Sequence, residues 1–404
     1  MAIDTPAKLA ILGAGPIGLE AALYARFLGY DVVIFEQGRV CEHVQRLAHA
    51  GLLSPFAENS SPLGLGALTA QDENYQPPEA TTLLTGRQWL ERYLQPLADS
   101  DLLSDHLFTN TRVLGVGKEQ VRKTDLEADL PEGDERGDWA FRILVRDVSA
   151  GGEGNERIEM VDGVLDCTGV ASQPNFAGHG GLPAIGELGL RDKIVYHLPD
   201  VLEADRGLFE DRHTLLIGEG CDAAAAVVLL DELQQQSPGT RFTWITSHEH
   251  EPSGPIDLAK SSSSPARQRQ AEEANRIARE SQAWKWGTHL EGIRLEPNGK
   301  FSVTLSGQIA GEQSFDRVLA LVGYRGETAL FSELQIAVDP IHGGNDSKSI
   351  SRGEANYYVL GSKTAGRNAE QFSFADGIAQ IRQVFAIIGD RESLDLYAQR
   401  TELK

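Results

Sequence analysis

The sequence is poor in cysteine, in positive charge and in long apolar runs. Only Cys41, Cys167 and Cys221 occur, with no C-x-x-C or C-x4-C pair. Such sparse thiols fit a reducing compartment, and the cytoplasm is the expected location. They argue against a dithiol redox relay, which needs two thiols within bonding reach. Lysine and arginine total 37 against 59 acidic residues, for a formal net charge of -22. That field repels nucleic acid and anionic membranes, so neither is an expected partner. It does not repel a dinucleotide held locally by backbone N–H groups. No apolar run reaches the ~18 residues needed to span a bilayer. The opening MAIDTPAKLAILGAG lacks a basic region, an apolar core and a cleavage site in series, so no secretory signal is expected. The ten histidines show no ligand spacing with cysteines or acids, and no metal site is expected. What remains is a chain of 404 residues, 41% hydrophobic and 24% charged. That is an ordinary globular balance with length for two or three domains.

The stretch KLAILGAGPIGLEAALYARFLGYDVVIFEQ carries the strongest signal. Lys8 to Leu12 reads as a buried strand. Gly13, Gly15 and Gly18 form G-x-G-x-x-G with Pro16 and Ile17 inside it, and Ile17 to Leu28 reads as a helix. Asp31 to Phe35 reads as a second strand, followed by Glu36 and Gln37. The glycines allow a tight turn and close approach of backbone to a pyrophosphate, and the helix N-terminus offers unpaired N–H groups. Glu36 stands about 20 residues on, where a carboxylate accepts bonds from ribose hydroxyls. Together these predict dinucleotide binding.

A second such unit lies in HTLLIGEGCDAAAAVVLLDEL. A strand to Ile217 is followed by Gly218, Gly220 and Ala223 as G-x-G-x-x-A, then a helix, the turn SPGT and the strand RFTWIT. Here Glu219 sits between the glycines and Asp222 follows. Two carboxylates near a pyrophosphate weaken binding by roughly 0.5–1.5 kcal/mol each without forbidding it. In such turns the N–H groups face the phosphate while the intervening side chain can point to solvent. Arg267 and Arg269 are candidates for compensating charge.

Two strand–turn–helix–strand units in one chain resemble the two-dinucleotide-binding-domain flavoproteins, which include flavin-containing monooxygenases and thioredoxin-reductase-like enzymes. The resemblance implies FAD on the first loop and NADPH or NADH on the second, with NADPH ranked first. Relatives that take NADPH carry an arginine just beyond the second strand, where this chain has Ser247 and His248. VDGVLDCTGV, with Thr168 and Gly169, looks like the strand leaving the FAD domain, and FDRVLALVGYRGET looks like the matching return strand. NYYVLGSKTAGRNAEQFSFADGIAQIRQVFAII resembles the C-terminal FAD segment. There a strand ends at Gly361, and a helix starting near Ala375 would point its N-terminus at the flavin and stabilise negative charge on the reduced ring. VYHLPDV resembles part of the flavin-monooxygenase signature, with His197 at the histidine position and Asp200 three residues on. ENSSPLG is similar to the stretch whose asparagine faces the flavin, which makes Asn59 the candidate.

The expected fold is α/β: two Rossmann-like domains of the ββα three-layer kind, the FAD domain discontinuous. Expected boundaries are 1–172 and 315–404 for the FAD domain, 173–199 for a linker and 200–312 for the NAD(P)-like domain. Thr85 is expected to cap an amphipathic helix to Ala98, with Leu90, Tyr93, Leu94 and Leu97 as its apolar stripe. RVLGVGKEQV and WAFRILVRDV alternate as an antiparallel pair, with IEMVDGVLD as a third strand. The acidic TDLEADLPEGDERGD and the run SAGGEGNER read as connecting loops. The stretch from Gly38 to Thr82 has little regular pattern and reads as part of a substrate cleft. NFAGHGGLPAIGE either lines that cleft or joins domains.

The resemblance implies an FAD monooxygenase that uses NAD(P)H and O2 to oxygenate nitrogen or sulfur of a small molecule, with Asn59 and His197 as catalytic candidates. Three alternatives stay open. They are an NAD(P)H-dependent reductase of a quinone or protein acceptor, an FAD oxidase or dehydrogenase that needs no nicotinamide, and a non-catalytic flavin-binding protein. The missing dithiol lowers any disulfide-reductase form. A small-molecule substrate is the expected partner, with a homodimer as an option.

Overall fold

The computed structural model describes residues 3, 5–126, 128, 130–131, 135–149, 154–248, 253–257, 264–337, 353–391 and 393–398. Parts of two expected loops, within 127–134 and at 150–153, lie outside the described residues. The chain divides into two compact units, 1–172 with 325–404, and 173–324.

The first unit is built on a parallel sheet in the order Tyr357–Val359, Gly163–Asp166, Lys8–Leu12, Asp31–Phe35, Leu107–Phe108. Its strands are apolar on both faces because both faces are covered. Leu9, Ile11, Val32, Ile34 and Leu165 meet Leu19 and Leu23 of the helix Pro16–Phe27 and Ile381, Val384 and Phe385 of the helix Phe374–Ile388. Ala10, Leu12, Val33, Phe35 and Val164 meet Val113, Phe141, Ile143 and Val145 of an antiparallel meander. That meander is Thr111–Lys118, Phe141–Asp147 and Glu156–Val161. Successive strand residues point to opposite faces, so five consecutive apolar residues serve two cores. Each fully buried Leu or Ile contributes about 1.5–3 kcal/mol. This is the expected ββα layering.

The second unit repeats the plan. Its parallel sheet runs Trp284–Lys285, Arg241–Ile245, His213–Ile217, Arg317–Ala320. The meander Thr288–Leu295, Phe301–Gly307, Gly311–Phe315 covers one face through Leu290, Val303, Leu305 and Phe315. The helices Cys221–Gln236 and Pro265–Glu280 pack together, and the first also packs on the strand Arg241–Ile245.

One joint recurs in both units. IEMVDGVLD, expected as one strand, is two: Glu156–Val161 ends the meander and Gly163–Asp166 enters the parallel sheet. Asp162 makes the turn. Its N–H donates to Lys8 O at 2.9 Å, and its carboxylate accepts the Lys8 N–H at 2.7 Å. Gly163 follows because a Cβ there would lie 2.9 Å from the side chains of both Ile3 and Leu9. Asp316 does the same in the second unit, donating to His213 O at 2.8 Å and accepting from His213 N at 2.9 Å.

The domain boundaries need correction. Arg317–Ala320 pairs with Thr214–Ile217, so 315–324 returns to the second unit's sheet and not to the first. The segment 173–199 is not a linker. Val195 hydrogen-bonds Val318 and Ala320, and Ile185 hydrogen-bonds Glu291 and Ile293, all within the second unit.

The stretch 38–82 also holds more structure than expected. It contains the helices Glu42–Arg46 and Pro62–Gln71. Ser61 caps the longer one and Pro62 starts it, while Phe56, Leu63 and Leu68 enter the core. Its two glycines and weak periodicity hide it from the sequence. The run 86–98 is helical as expected, with Thr85 and Gln88 in a capping box. Leu90–Leu94 is wound as a π-helical turn. Tyr93, Leu94 and Leu97 are buried, and Leu90 is partly buried against the same core.

Candidate functional site

The first glycine loop starts where Leu12 lies between Phe35 and Asp166 on the neighbouring strands. Gly13 turns the chain at φ 97°, and a Cβ there would sit 2.9 Å from Cys167 O. A Cβ at Gly18 would sit 1.9 Å from Gly13 O, so the helix can rest on the turn only with glycine at that place. Gly15 differs: a Cβ there would meet nothing within 4 Å. It is the N-cap of the helix Pro16–Phe27 and provides no side-chain cap. The opening beside it is therefore served by first-turn amides and the positive end of a 12-residue helix. Ile17 packs against the last helix so closely that a Cβ on Gly377 would lie 2.1 Å from its Cδ1.

Glu36 closes the other side of the opening. Its carboxylate accepts the Ala14 N–H and the Gly38 N–H, both at 2.9 Å. Burial raises its pKa, and the bonds from Gly38 and Ala14 oppose that rise. Gln37 beside it is exposed. The carboxylate is thus oriented while keeping lone pairs for hydroxyl donors. A clear glycine, first-turn amides and an oriented acid fit a dinucleotide.

The ends of the strands Gly163–Asp166 and Tyr357–Val359 form a further wall. Thr168 donates N–H and Oγ1–H to Asp166 Oδ1, at 3.1 and 2.6 Å. Gly169 takes φ 63°, and a Cβ there would be 3.4 Å from Ser362 Oγ. Gly361 takes φ 81°, and its N–H donates to buried Gln380 Oε1 at 2.7 Å. Sequence reasoning missed three members of this wall. Lys363 Nζ is 2.8 Å from Asp166 Oδ2 and 2.5 Å from Thr168 Oγ1. Tyr357 donates to Asp166 Oδ2 at 3.1 Å. Asp166 and Lys363 stand 197 residues apart, so no local pattern could have joined them.

The expected helix near Ala375 starts at Phe374, with Ala375 exposed in its first turn. Ser373 and Asp376 form a capping box there. The helix end already carries a carboxylate, so its dipole is partly matched inside the protein.

Asn59 is buried and braces its own loop. Its Nδ2 donates to Ser54 O at 3.1 Å, Ser54 Oγ at 2.8 Å and Pro55 O at 3.0 Å. Its backbone O accepts Trp89 Nε1 at 2.8 Å. Ser61, just beyond, donates to buried Glu20 of the glycine helix. Tyr93 joins the pair, accepting Ser61 N–H at 3.0 Å. Burial pushes Glu20 up to about 7, against hydrogen bonds from Ser61, Tyr397 and Tyr93. Nothing in the local pattern signals this network, because a glutamate in a helix reads as exposed.

In the second unit Gly218 takes φ 138°, and a Cβ there would lie 2.1 Å from Leu321 O. Gly220 is the N-cap of the helix Cys221–Gln236 and has no side-chain cap. Ala223 is fully buried in its first turn. Glu219 reaches toward the residues after the strand Arg241–Ile245. Its Oε2 is 2.7 Å from His248 Nδ1, and Ser247 Oγ donates to Oε1 at 3.4 Å. Arg267 and Arg269 lie near the start of the helix Pro265–Glu280, and the side chain beside Glu219 Oε2 is His248. His197 is exposed, after a strand-like segment in which Val195 bridges Leu319. It belongs to the second unit and Asn59 to the first.

Among the described residues no helix is long and apolar enough to cross a membrane, and no cluster of His, Cys, Asp and Glu could hold a metal ion. Neither protein-family models nor curated proteins match the sequence. Solved structures do match its fold. Bacillithiol disulfide reductase from Bacillus cereus aligns over 96% of this chain and 100% of its own, with a TM-score of 0.69 at 17% identity. Ornithine hydroxylase from Pseudomonas aeruginosa covers 96% of this chain and 100% of its own, with a TM-score of 0.61 at 14% identity. Thioredoxin reductase from Lactococcus lactis covers 95% and 99%, with a TM-score of 0.55 at 16% identity. The chain thus shares the fold of these two reductases and of the hydroxylase.

Proposed function

We propose that the protein is a flavin-dependent oxidoreductase with FAD on the first glycine loop and a nicotinamide dinucleotide on the second. The observation that carries this reading is the first loop: Gly15 opens onto clear space while Glu36 is held by Ala14 and Gly38. Bound FAD would supply two-electron transfer from the nicotinamide to O2 or another acceptor. The chain's own residues hold and orient. The first-turn amides of the helix Pro16–Phe27 take the pyrophosphate, and Glu36 takes the adenosine ribose. Lys363 and Asp166 fix Thr168, and Gln380 fixes Gly361, on the remaining side.

Within that class we rank monooxygenation of nitrogen or sulfur in a small molecule first. Asn59 then serves as a positioning residue, since its amide nitrogen already braces the loop. His197 is the candidate that faces solvent. A second reading, reduction of a small acceptor, is favoured by the likeness to bacillithiol disulfide reductase. It would proceed without a protein dithiol, because Cys41 and Cys167 are buried and burial raises both thiols.

The deciding experiment starts with the purified chain's visible spectrum. Anaerobic mixing with NADH and NADPH follows, then admission of O2 with product analysis. A bleached flavin and an oxygenated amine or thioether support the first reading. Peroxide alone, with turnover on a disulfide or quinone, supports the second. A chain that refuses FAD in a titration ends both.

A further inference from the structure

Both units build a corner where the glycine loop meets the end of the second parallel strand, but the acid sits on opposite sides of it. Leu12 pairs with Phe35 in the first unit, and Ile217 pairs with Ile245 in the second. Ala14 therefore corresponds to Glu219, and Glu36, Gln37 and Gly38 correspond to Thr246, Ser247 and His248. In the first unit the strand end supplies the carboxylate, and the loop supplies a backbone donor, Ala14 N–H, at 2.9 Å. In the second unit the loop supplies the carboxylate. Glu219 Oε1 accepts from Ser247 Oγ at 3.4 Å, while buried Oε2 lies 2.7 Å from His248 Nδ1 and receives no hydrogen bond. The strand-end position itself is the buried Thr246, whose Oγ1 accepts Trp284 Nε1 at 2.9 Å.

We infer that Glu219 is the ribose-recognising acid of the second loop, delivered from the loop side, and that it makes this unit an NADH site that rejects NADPH. The inference rests on the reading that this loop holds a nicotinamide dinucleotide. A carboxylate in that corner accepts hydrogen bonds from the two hydroxyls of an unphosphorylated ribose. A 2′-phosphate would bring nearly two negative charges beside it. The strand end answers with Thr246, Ser247 and His248 and no arginine, and the last two are already engaged by Glu219. The ranking of NADPH first, drawn from sequence, is thereby reversed.

The test uses the FAD-loaded full chain and unreactive ligands. NAD+ and NADP+ are titrated separately by calorimetry, with ADP-ribose and 2′-phospho-ADP-ribose as adenosine-half probes. The expected result is at least tenfold tighter binding of the unphosphorylated member of each pair. Glu219→Gln keeps the shape of the side chain and removes its charge. It should shrink that ratio severalfold, by weakening NAD+ and strengthening NADP+, with the flavin spectrum and melting temperature unchanged. Equal or tighter binding of NADP+ by the wild type, or an unaltered ratio in the variant, overturns the inference while leaving the nicotinamide site in place. Binding of neither nucleotide removes the site, and the inference with it, while FAD on the first loop still stands.

Discussion

Lys363 donates to both carboxylate oxygens of Asp166, at 3.1 and 2.8 Å, with both side chains buried. The pair ties the chain after the strand Tyr357–Val359 to the end of the strand Gly163–Asp166. Removing one partner leaves the other as a lone buried charge. Lys363→Met should therefore destabilise the chain by about 3–5 kcal/mol. Adding Asp166→Asn should recover part of that loss. Urea unfolding of the two variants and the wild type measures it; a single variant as stable as the wild type contradicts the pairing.

The glycines of the first loop should separate by role. Gly15→Ala places its Cβ in open space, so the stability of the FAD-free chain should fall by less than about 1 kcal/mol. Its affinity for FAD should nevertheless drop, because the methyl group fills the opening. Gly18→Ala drives a Cβ into Gly13 O and should lower stability and affinity together. Melting curves without FAD, beside FAD titrations, distinguish the two. Equal behaviour of the variants counts against a ligand at Gly15.

Glu20 sets a pH dependence whose sign follows from its raised pKa. Its folded value of about 7 stands above the ordinary 4.5. The unfolded chain therefore loses this proton first as pH rises. Stability from the protonated form is fully present below pH ~4.5 and is lost as pH climbs through about 7, on the order of 3 kcal/mol in all. Glu20→Gln should match the wild type near pH 4.5 and exceed it above pH 8. Denaturant unfolding across that range reads the difference, and parallel curves would contradict the assignment.

Thiol chemistry checks the absence of a relay. Cys41 and Cys167 are buried and Cys221 is half-buried. A thiol reagent should modify at most one thiol quickly in the native chain and all three after unfolding. Two fast thiols that disappear together on oxidation would restore a dithiol mechanism.

The parts legible in the sequence are local. The first loop was readable because Gly13, Gly15, Gly18 and Glu36 fall within one strand–turn–helix–strand unit, where each residue's neighbours in space are its neighbours in sequence. The layering was expected from the resemblance carried by the two strand–turn–helix–strand units, and burial of the sheet on both faces bears it out. The boundary at 315 was misread because the strand Arg317–Ala320 looks the same whichever sheet it enters. Its register with Thr214–Ile217, and the turn at Asp316, decide the matter. The helix Pro62–Gln71 was missed because its glycines mask the period that tertiary burial overrides.

By itself, then, the sequence determined two glycine turns, the helices behind them and the acid at Glu36, since short-range sterics and backbone hydrogen bonding settle such units. Only tertiary structure decided that Lys363 reaches Asp166, that Glu20 reaches Ser61, and that Glu219 turns to Ser247 and His248. Those contacts join residues far apart in the chain. Their energies depend on burial, which exists only once the strands have packed.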